Sequence, residues 1–223
     1  MGHAVGEFLC DAILFDLDGV LIDSTACVER HWGAWARRHG LETERVISMA
    51  HGVRNIETMR RLAPDSDVEQ EAADFAALEV EDTAGIVAVQ GAAAIMRTLE
   101  KGRWAVVTSC SRPLAHARLR AAELPEPPLL ITGDDVSQGK PEPASYLLAA
   151  ARLGFPPEQC LVVEDATSGV QAGKRAGMRV LAIATTYAAE DLIGVGADVV
   201  LQSLTKLDVR MPAENHRMAV VFG

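Results

Sequence analysis

Four short stretches of this chain are apolar at nearly every position: Ala12 to Phe15, Trp104 to Val107, Leu161 to Val163 and Val180 to Ala184. Leu129 to Ile131 forms a weaker fifth. Runs this short cannot make helices, and residues apolar on both faces predict strands buried inside a parallel sheet. Between the later runs, Pro113 to Ala122, Pro143 to Leu153 and Ser168 to Ala176 read as helices. The alternation predicts an α/β fold with a Rossmann-like core, a parallel sheet wrapped by helices. Ligands of such sheets sit beyond the carboxyl ends of the strands, so the residues following each run are where chemistry is expected.

The first two runs are separated by far more chain than the roughly 2 to 6 residues of an ordinary strand-to-helix connection. From Ser24 to about Val89 the pattern turns helical, with Arg30 to Arg38, Ile56 to Leu62 and Val68 to Val80 as helices and Gly40, Gly52 and Pro64 as breaks. This predicts an all-helical cap over residues 24–89, inserted into a core formed by residues 1–23 and 90–223. Ala92 to Glu100 would be the helix leading into the second core strand, and the tail from Asp198 onward gives one short strand and little further signal. Trp32 and Trp35, three apart, suit a buried stripe inside the cap better than a sugar platform.

Composition narrows the partners. Of 223 residues, 49% are hydrophobic, enough for a sizeable core, and the formal charge of −10 disfavours nucleic acid and anionic membrane surfaces. The four cysteines (Cys10, Cys27, Cys110, Cys160) lie far apart without zinc spacing, which suits reduced thiols in a cytoplasmic protein. Met1 to Cys10 has no basic flank and is interrupted by Glu7, unlike a secretory leader. Met1-Gly2 fails as a myristoylation signal because Gly6 stands where Ser or Thr is wanted. No apolar run reaches the 18 residues or so that a membrane helix needs. A monomer or weak dimer is expected.

The chemistry clusters after the strands. Asp16 and Asp18 follow the first run, with Gly19 allowing a tight turn. A carboxylate there can attack phosphorus, and a second one two residues on can protonate the leaving oxygen; two solvated acids in a turn are the plainer alternative. Thr108-Ser109-Cys110-Ser111-Arg112 follows the second run, where hydroxyls and backbone N–H groups at a helix start can hold a phosphate oxygen, beyond what capping alone requires. Lys140, one of only four lysines, precedes Pro141 and can neutralise a phosphate and a nucleophilic carboxylate. Glu164 and Asp165 add two more acids at the same edge. Four converging carboxylates would repel one another without a hard cation, and an all-oxygen donor set selects Mg²⁺.

Together, DLDGVLIDS, VVTSCS, GKPEP and VVEDATSG resemble, in order and strand context, the four motifs of the haloacid dehalogenase superfamily, over about Asp11 to Thr186. The resemblance implies Asp16 as nucleophile, Asp18 as general acid and base, and Ser109 and Lys140 on the transferring phosphoryl group. It implies Mg²⁺ held by Asp16, the Asp18 carbonyl and Asp165, with Glu164 acting directly or through water. Relatives that cleave carbon–halogen bonds lack the second aspartate, and phosphonatases use a cap lysine, whereas no lysine lies between Asp18 and Glu100. In the cap, His51-Gly52-Val53-Arg54-Asn55 resembles the substrate loop of small polyol and sugar phosphate phosphatases, with Asn55 where Thr is frequent. That resemblance makes His51, Arg54, Cys110, Ser111 and Arg112 candidate substrate contacts. The implied activity is a Mg²⁺-dependent phosphatase that hydrolyses small phosphorylated sugars or polyols through an aspartyl-phosphate intermediate. The alternatives are a beta-phosphoglucomutase-like mutase and, in a different class, a catalytically idle metabolite-binding module.

Overall fold

The computed structural model describes residues 6–210 and 217–223; the reading of Met1-Gly2 lies outside them. The chain runs β1 (Gly6–Cys10), β2 (Ala12–Phe15), β3 (Ile22–Asp23), α1 (Thr25–Arg38), α2 (Thr43–Ala50), α3 (Asn55–Leu62), α4 (Val68–Glu81) and β4 (Val87–Ala88). It continues with α5 (Ala92–Thr98), β5 (Trp104–Val107), α6 (Arg112–Ala121), β6 (Leu130–Ile131), α7 (Ala144–Leu153), β7 (Cys160–Glu164) and α8 (Thr167–Arg175). It ends with β8 (Arg179–Ile183), α9 (Ala189–Gly194), β9 (Val199–Leu201), β10 (Leu207–Arg210) and β11 (Met218–Phe222).

The apolar runs form the middle of a six-stranded parallel sheet of order β6-β5-β2-β7-β8-β9. Every residue of β2, β5 and β7 is buried, because helices cover both faces. Residues of alternate parity feed two separate cores: Ile13 and Phe15 pack with Trp104, Val106 and Leu161 on one face, and Leu14 packs with Val107, Tyr146 and Val162 on the other. From β2 the chain builds outward through β5 and β6, then returns to the opposite side of β2 to add β7, β8 and β9. This reversal opens the crevice at the carboxyl ends of β2, β5 and β7.

Helices α1 to α4 lie between β3 and β4, which pair with each other in a two-stranded ribbon, Ile22 opposite Ala88 and Asp23 opposite Val87. They share their own apolar cluster of Trp32, Trp35, Val46, Met59 and Phe75. Trp32 meets Trp35 edge-on with ring centroids 5.5 Å apart, and Trp35 Nε1 donates to Glu71 at 2.8 Å. Short α2 begins after Glu42 and ends where His51 and Gly52 turn the chain, Gly52 with φ +72°.

The chain ends depart from the sequence reading. Strands β1, β11 and β10 form a three-stranded antiparallel sheet, Gly6 opposite Phe222 and Leu207 opposite Phe222. Its inner side chains, among them Met218, Val220 and Phe222, join the core under β2. The strands of this sheet are five residues or fewer, and β1 pairs with the far end of the chain, so local pattern carried little of it. The four cysteines are free thiols. Among the described residues, no helix is long and apolar enough to cross a membrane.

Candidate active site

The sheet edge gathers the acids that the sequence placed after its strands. Asp16 follows β2 directly, and its backbone N–H donates to the Val163 carbonyl on β7 at 2.9 Å, locking the turn to the neighbouring strand. Gly19 completes that turn with φ +80°, and a Cβ there would collide with the Asp165 carboxylate. Asp16, Glu164 and Asp165, all buried, each offer a carboxylate oxygen within 4.8 Å of the others. Lys140 is 1% exposed, and its ammonium spends all three protons locally: on Asp16 Oδ1 at 2.5 Å, Glu164 Oε1 at 2.7 Å and the Val107 carbonyl at 3.0 Å. Its cation also lies 5.0 Å from the centre of the Tyr146 ring.

The electrostatics follow from three buried acids facing one buried lysine. Burial, opposed by Lys140 and helped by Glu164 and Asp18, raises the Asp16 carboxyl to about 7. Burial, Glu164 and Asp16 hold Asp165 well above the usual carboxylate range. For Lys140, burial works against the ammonium, but Asp16 and Glu164 outweigh it and keep it charged well above its ordinary range. With three carboxyls to one ammonium and oxygen donors only, the pocket fits a hard divalent cation such as Mg²⁺, whose charge would favour ionisation of these raised acids. Asp16, Glu164 and Asp165 are the acids that could hold it. Glu164 belongs to that acid group and is also hydrogen-bonded within the chain: Oε1 accepts from Lys140 and from the Tyr146 hydroxyl at 2.9 Å, and Oε2 from the N–H groups of Asp165 and Ala166 at 2.9 and 3.0 Å. With both oxygens engaged, Glu164 anchors the lysine and the β7–α8 turn. Gly169 lies so close that a Cβ would strike this carboxylate.

Asp18 lines the cavity beside Asp16. Its Oδ1 accepts from Ser24 Oγ at 2.6 Å and from Arg118 Nη1 at 2.8 Å. Ser109 donates its hydroxyl to the Gly52 carbonyl of the helical insertion at 2.8 Å, across the cleft. The cavity between is lined from the core by Asp16, Asp18, Ser109, Cys110, Arg118 and Asp165, and from above by Trp32, His51, Asn55 and Glu79. His51 faces it with its ring edge-on to Tyr187 at 6.2 Å, and burial lowers its pKa. The Cys110 thiol is pushed up to about 12 by burial and then Asp18, so it stays protonated beside the Thr108 hydroxyl, 3.2 Å away.

Three candidate substrate contacts lie elsewhere. The Arg54 guanidinium reaches past the cavity to the carbonyls of Val136 at 3.0 Å and Ser137 at 2.8 Å, and pairs with Glu57 at 2.5 Å. It clasps the helical insertion to the loop before Lys140, because unpaired carbonyls there compete for its fork of donors. Arg112 turns to Asp135 at 2.5 Å and to the Leu130 carbonyl, while its backbone N–H meets Asp134 at 2.7 Å. Ser111 occupies the N-cap position of α6 without a side-chain capping bond and does not line the cavity. Conversely, sequence reasoning passed over Arg118, Glu79, Tyr146 and Thr186, the last of which donates its hydroxyl to Asp165 in a very short contact.

A parallel sheet whose carboxyl edge carries buried acids around a buried lysine, beneath a helical insertion, is the arrangement expected of a hydrolase of the phosphoryl-transfer kind. The family profile described as haloacid dehalogenase-like hydrolase matches residues 10–177, and the chain belongs to that family. It is similar to hexitol phosphatase A of Escherichia coli strain K12, with 44% identity covering 90% of this chain and 94% of that one. It is 31% identical to glycerol-1-phosphate phosphohydrolase 1 of Saccharomyces cerevisiae, over 95% of this chain and 90% of that one. Among solved structures, a hydrolase from Pseudomonas syringae superposes with a TM-score of 0.74 at 26% identity, over 86% of this chain and 94% of that one.

Proposed function

We propose that this chain is a Mg²⁺-dependent phosphatase that hydrolyses small phosphorylated polyols or sugars through an aspartyl phosphate on Asp16. The observation that carries the reading is the Asp16 carboxylate: Lys140 pins Oδ1, Oδ2 accepts from no described residue, and Asp16 lines the cavity. Oδ2 attacks phosphorus, the bond from phosphorus to the substrate oxygen breaks, and Asp18 gives its proton to the departing alkoxide. Asp18 then takes a proton from water as that water attacks the aspartyl phosphate, releasing phosphate and regenerating Asp16. Lys140, its three protons committed to Asp16, Glu164 and Val107, offsets part of the phosphoryl charge through both steps, and the Ser109 hydroxyl gives up the Gly52 carbonyl to hold a phosphoryl oxygen. A Mg²⁺ ion, held by Asp16, Asp165 and the Asp18 carbonyl, would neutralise the rest of that charge and keep Asp16 ionised. The helical insertion excludes water while the alkoxide leaves.

The two named relatives act on a hexitol phosphate and on glycerol 1-phosphate by their descriptions, and that supports the polyol class for this chain. The cavity is walled by both the sheet edge and the insertion, which suits a small substrate better than a polymer. Exposed large apolar side chains (Leu78, Val87, Leu147, Ile193) are scattered singly over different elements, which favours a monomer or weak dimer. The test is phosphate release from glycerol, hexitol, deoxyhexose, hexose and nucleotide monophosphates, with Mg²⁺ or EDTA. Release from small polyol or sugar phosphates that vanishes with EDTA and in a folded Asp16→Asn variant is the expected result. Isomerised sugar phosphate by phosphorus NMR, with little free phosphate, would replace this reading with the mutase.

A further inference from the structure

Helix α6 turns Leu114, Ala115 and Leu119 inward, and Arg118 falls on the same stripe at 4% exposed. A buried guanidinium is always charged and demands partners. Arg118 finds them on two different parts of the chain: Nη1 donates to Asp18 Oδ1 at 2.8 Å, and Nη2 to Glu79 Oε1 on α4 at 2.9 Å. Glu79, 2% exposed, is itself fixed through Oε2 by Asn55 Nδ2 at 2.7 Å. Asp18 thus has Oδ1 held by two donors, Ser24 and Arg118, while its Oδ2 accepts from no described residue and stays available to the cavity.

We infer that Arg118 is a positioning residue that orients Asp18 toward the departing oxygen, and that Glu79 makes this orientation depend on a seated helical insertion. The inference rests on the phosphatase reading. The guanidinium is a rigid planar fork, so the carboxylate that fixes one end sets the direction from which the other end holds Asp18. When Glu79 moves away with the insertion, that direction is no longer set, and proton delivery is lost until closure restores it. A lysine in its place carries the charge but cannot span both carboxylates.

A leaving group that is stable as an anion needs no proton, whereas an alkoxide does, so disturbing Asp18 must act selectively. The experiment measures kcat/KM for glycerol phosphate and for p-nitrophenyl phosphate in the full-length parent, Arg118→Lys, Glu79→Gln and the double variant, each checked for native circular dichroism. This ratio covers the steps up to formation of the aspartyl phosphate and leaves out its later hydrolysis. A positioned general acid is worth roughly 10² to 10⁴ in rate. Each single variant is therefore expected to lose about tenfold or more with glycerol phosphate and less than about twofold with p-nitrophenyl phosphate. The double variant should be no worse than Arg118→Lys, since both changes break one linkage. Equal losses with both substrates, no loss with either, or multiplied losses in the double variant overturn the inference while leaving the phosphatase standing. No phosphate release by the parent overturns both.

Discussion

Replacing Lys140 by Met isolates what the buried ammonium contributes, because the two side chains have similar length and the methionine keeps the apolar stem packed. The change removes hydrogen bonds to Asp16, Glu164 and Val107 and leaves Asp16, Glu164 and Asp165 facing one another with no cation from the chain. At an effective dielectric constant of about 20, a unit pair at this separation attracts by about 6 kcal/mol. Most of that attraction offsets the cost of burying both charges, so the expected loss of folding stability at pH 8 in EDTA is about 3 to 5 kcal/mol. The pH dependence has a definite sign. Asp16, already raised to about 7, loses the lysine that held it down and rises further. A carboxyl raised above its unfolded value favours folding fully at pH values below that unfolded value, and this benefit is lost as pH climbs through the folded pKa. Near pH 5.5 both proteins hold Asp16 protonated, whereas toward pH 8 the parent ionises it against Lys140 and the variant, its folded pKa higher still, lacks that stabilisation. Urea unfolding followed by circular dichroism in EDTA should show a gap between parent and variant that is larger at pH 8 by at least about 1 kcal/mol, since one proton per pH unit is worth about 1.4 kcal/mol. A gap that is the same at both pH values, or a variant as stable as the parent at pH 8, refutes the reasoning.

Further substitutions probe the remaining geometry. Gly19→Ala forces a side chain into φ +80° and against the Asp165 carboxylate; the strain of about 1 to 2 kcal/mol should raise the Mg²⁺ concentration for half-maximal activity by about tenfold, and an unchanged metal titration would contradict the placement of Asp165. Arg54→Ala unties the helical insertion from the Val136 and Ser137 carbonyls. It should speed limited proteolysis of the β3 and β4 connections and lower kcat/KM similarly for short and long substrates, whereas a loss confined to long substrates would restore Arg54 as a substrate contact. Arg112→Ala breaks a half-exposed pair with Asp135, a contact worth at most about 1 kcal/mol, and KM should move by less than about twofold; a large rise in KM would put the guanidinium back on the phosphate.

What the sequence revealed of this protein depended on how local the signal was. A strand buried on both faces advertises itself, so Trp104–Val107 is read to the residue, and the acids that follow such strands are brought to one edge by the topology of any parallel sheet. The terminal sheet escapes because its pairing joins Gly6 to Phe222 across the whole chain. Arg118 and Glu79 escape for a different reason: a charged residue within a helix is normally solvated, and only its position tells otherwise. That information was present, since Arg118 shares the stripe of Leu114, Ala115 and Leu119, and Glu79 that of Val68 and Phe75. Arg54 and Arg112 show the converse: the resemblance makes both candidate substrate contacts, whereas in the fold their guanidiniums engage the Val136 and Ser137 carbonyls and Asp135. Glu164 is the instructive case. Counting four acids at the edge treats them as equivalent, yet one buried lysine with three protons must itself be satisfied. An acid at the end of β7, wholly buried and beside Tyr146, can serve the lysine at little further cost. The partners of each carboxylate are thus set by where it finds its first cation, a property of the packed site and not of the motif.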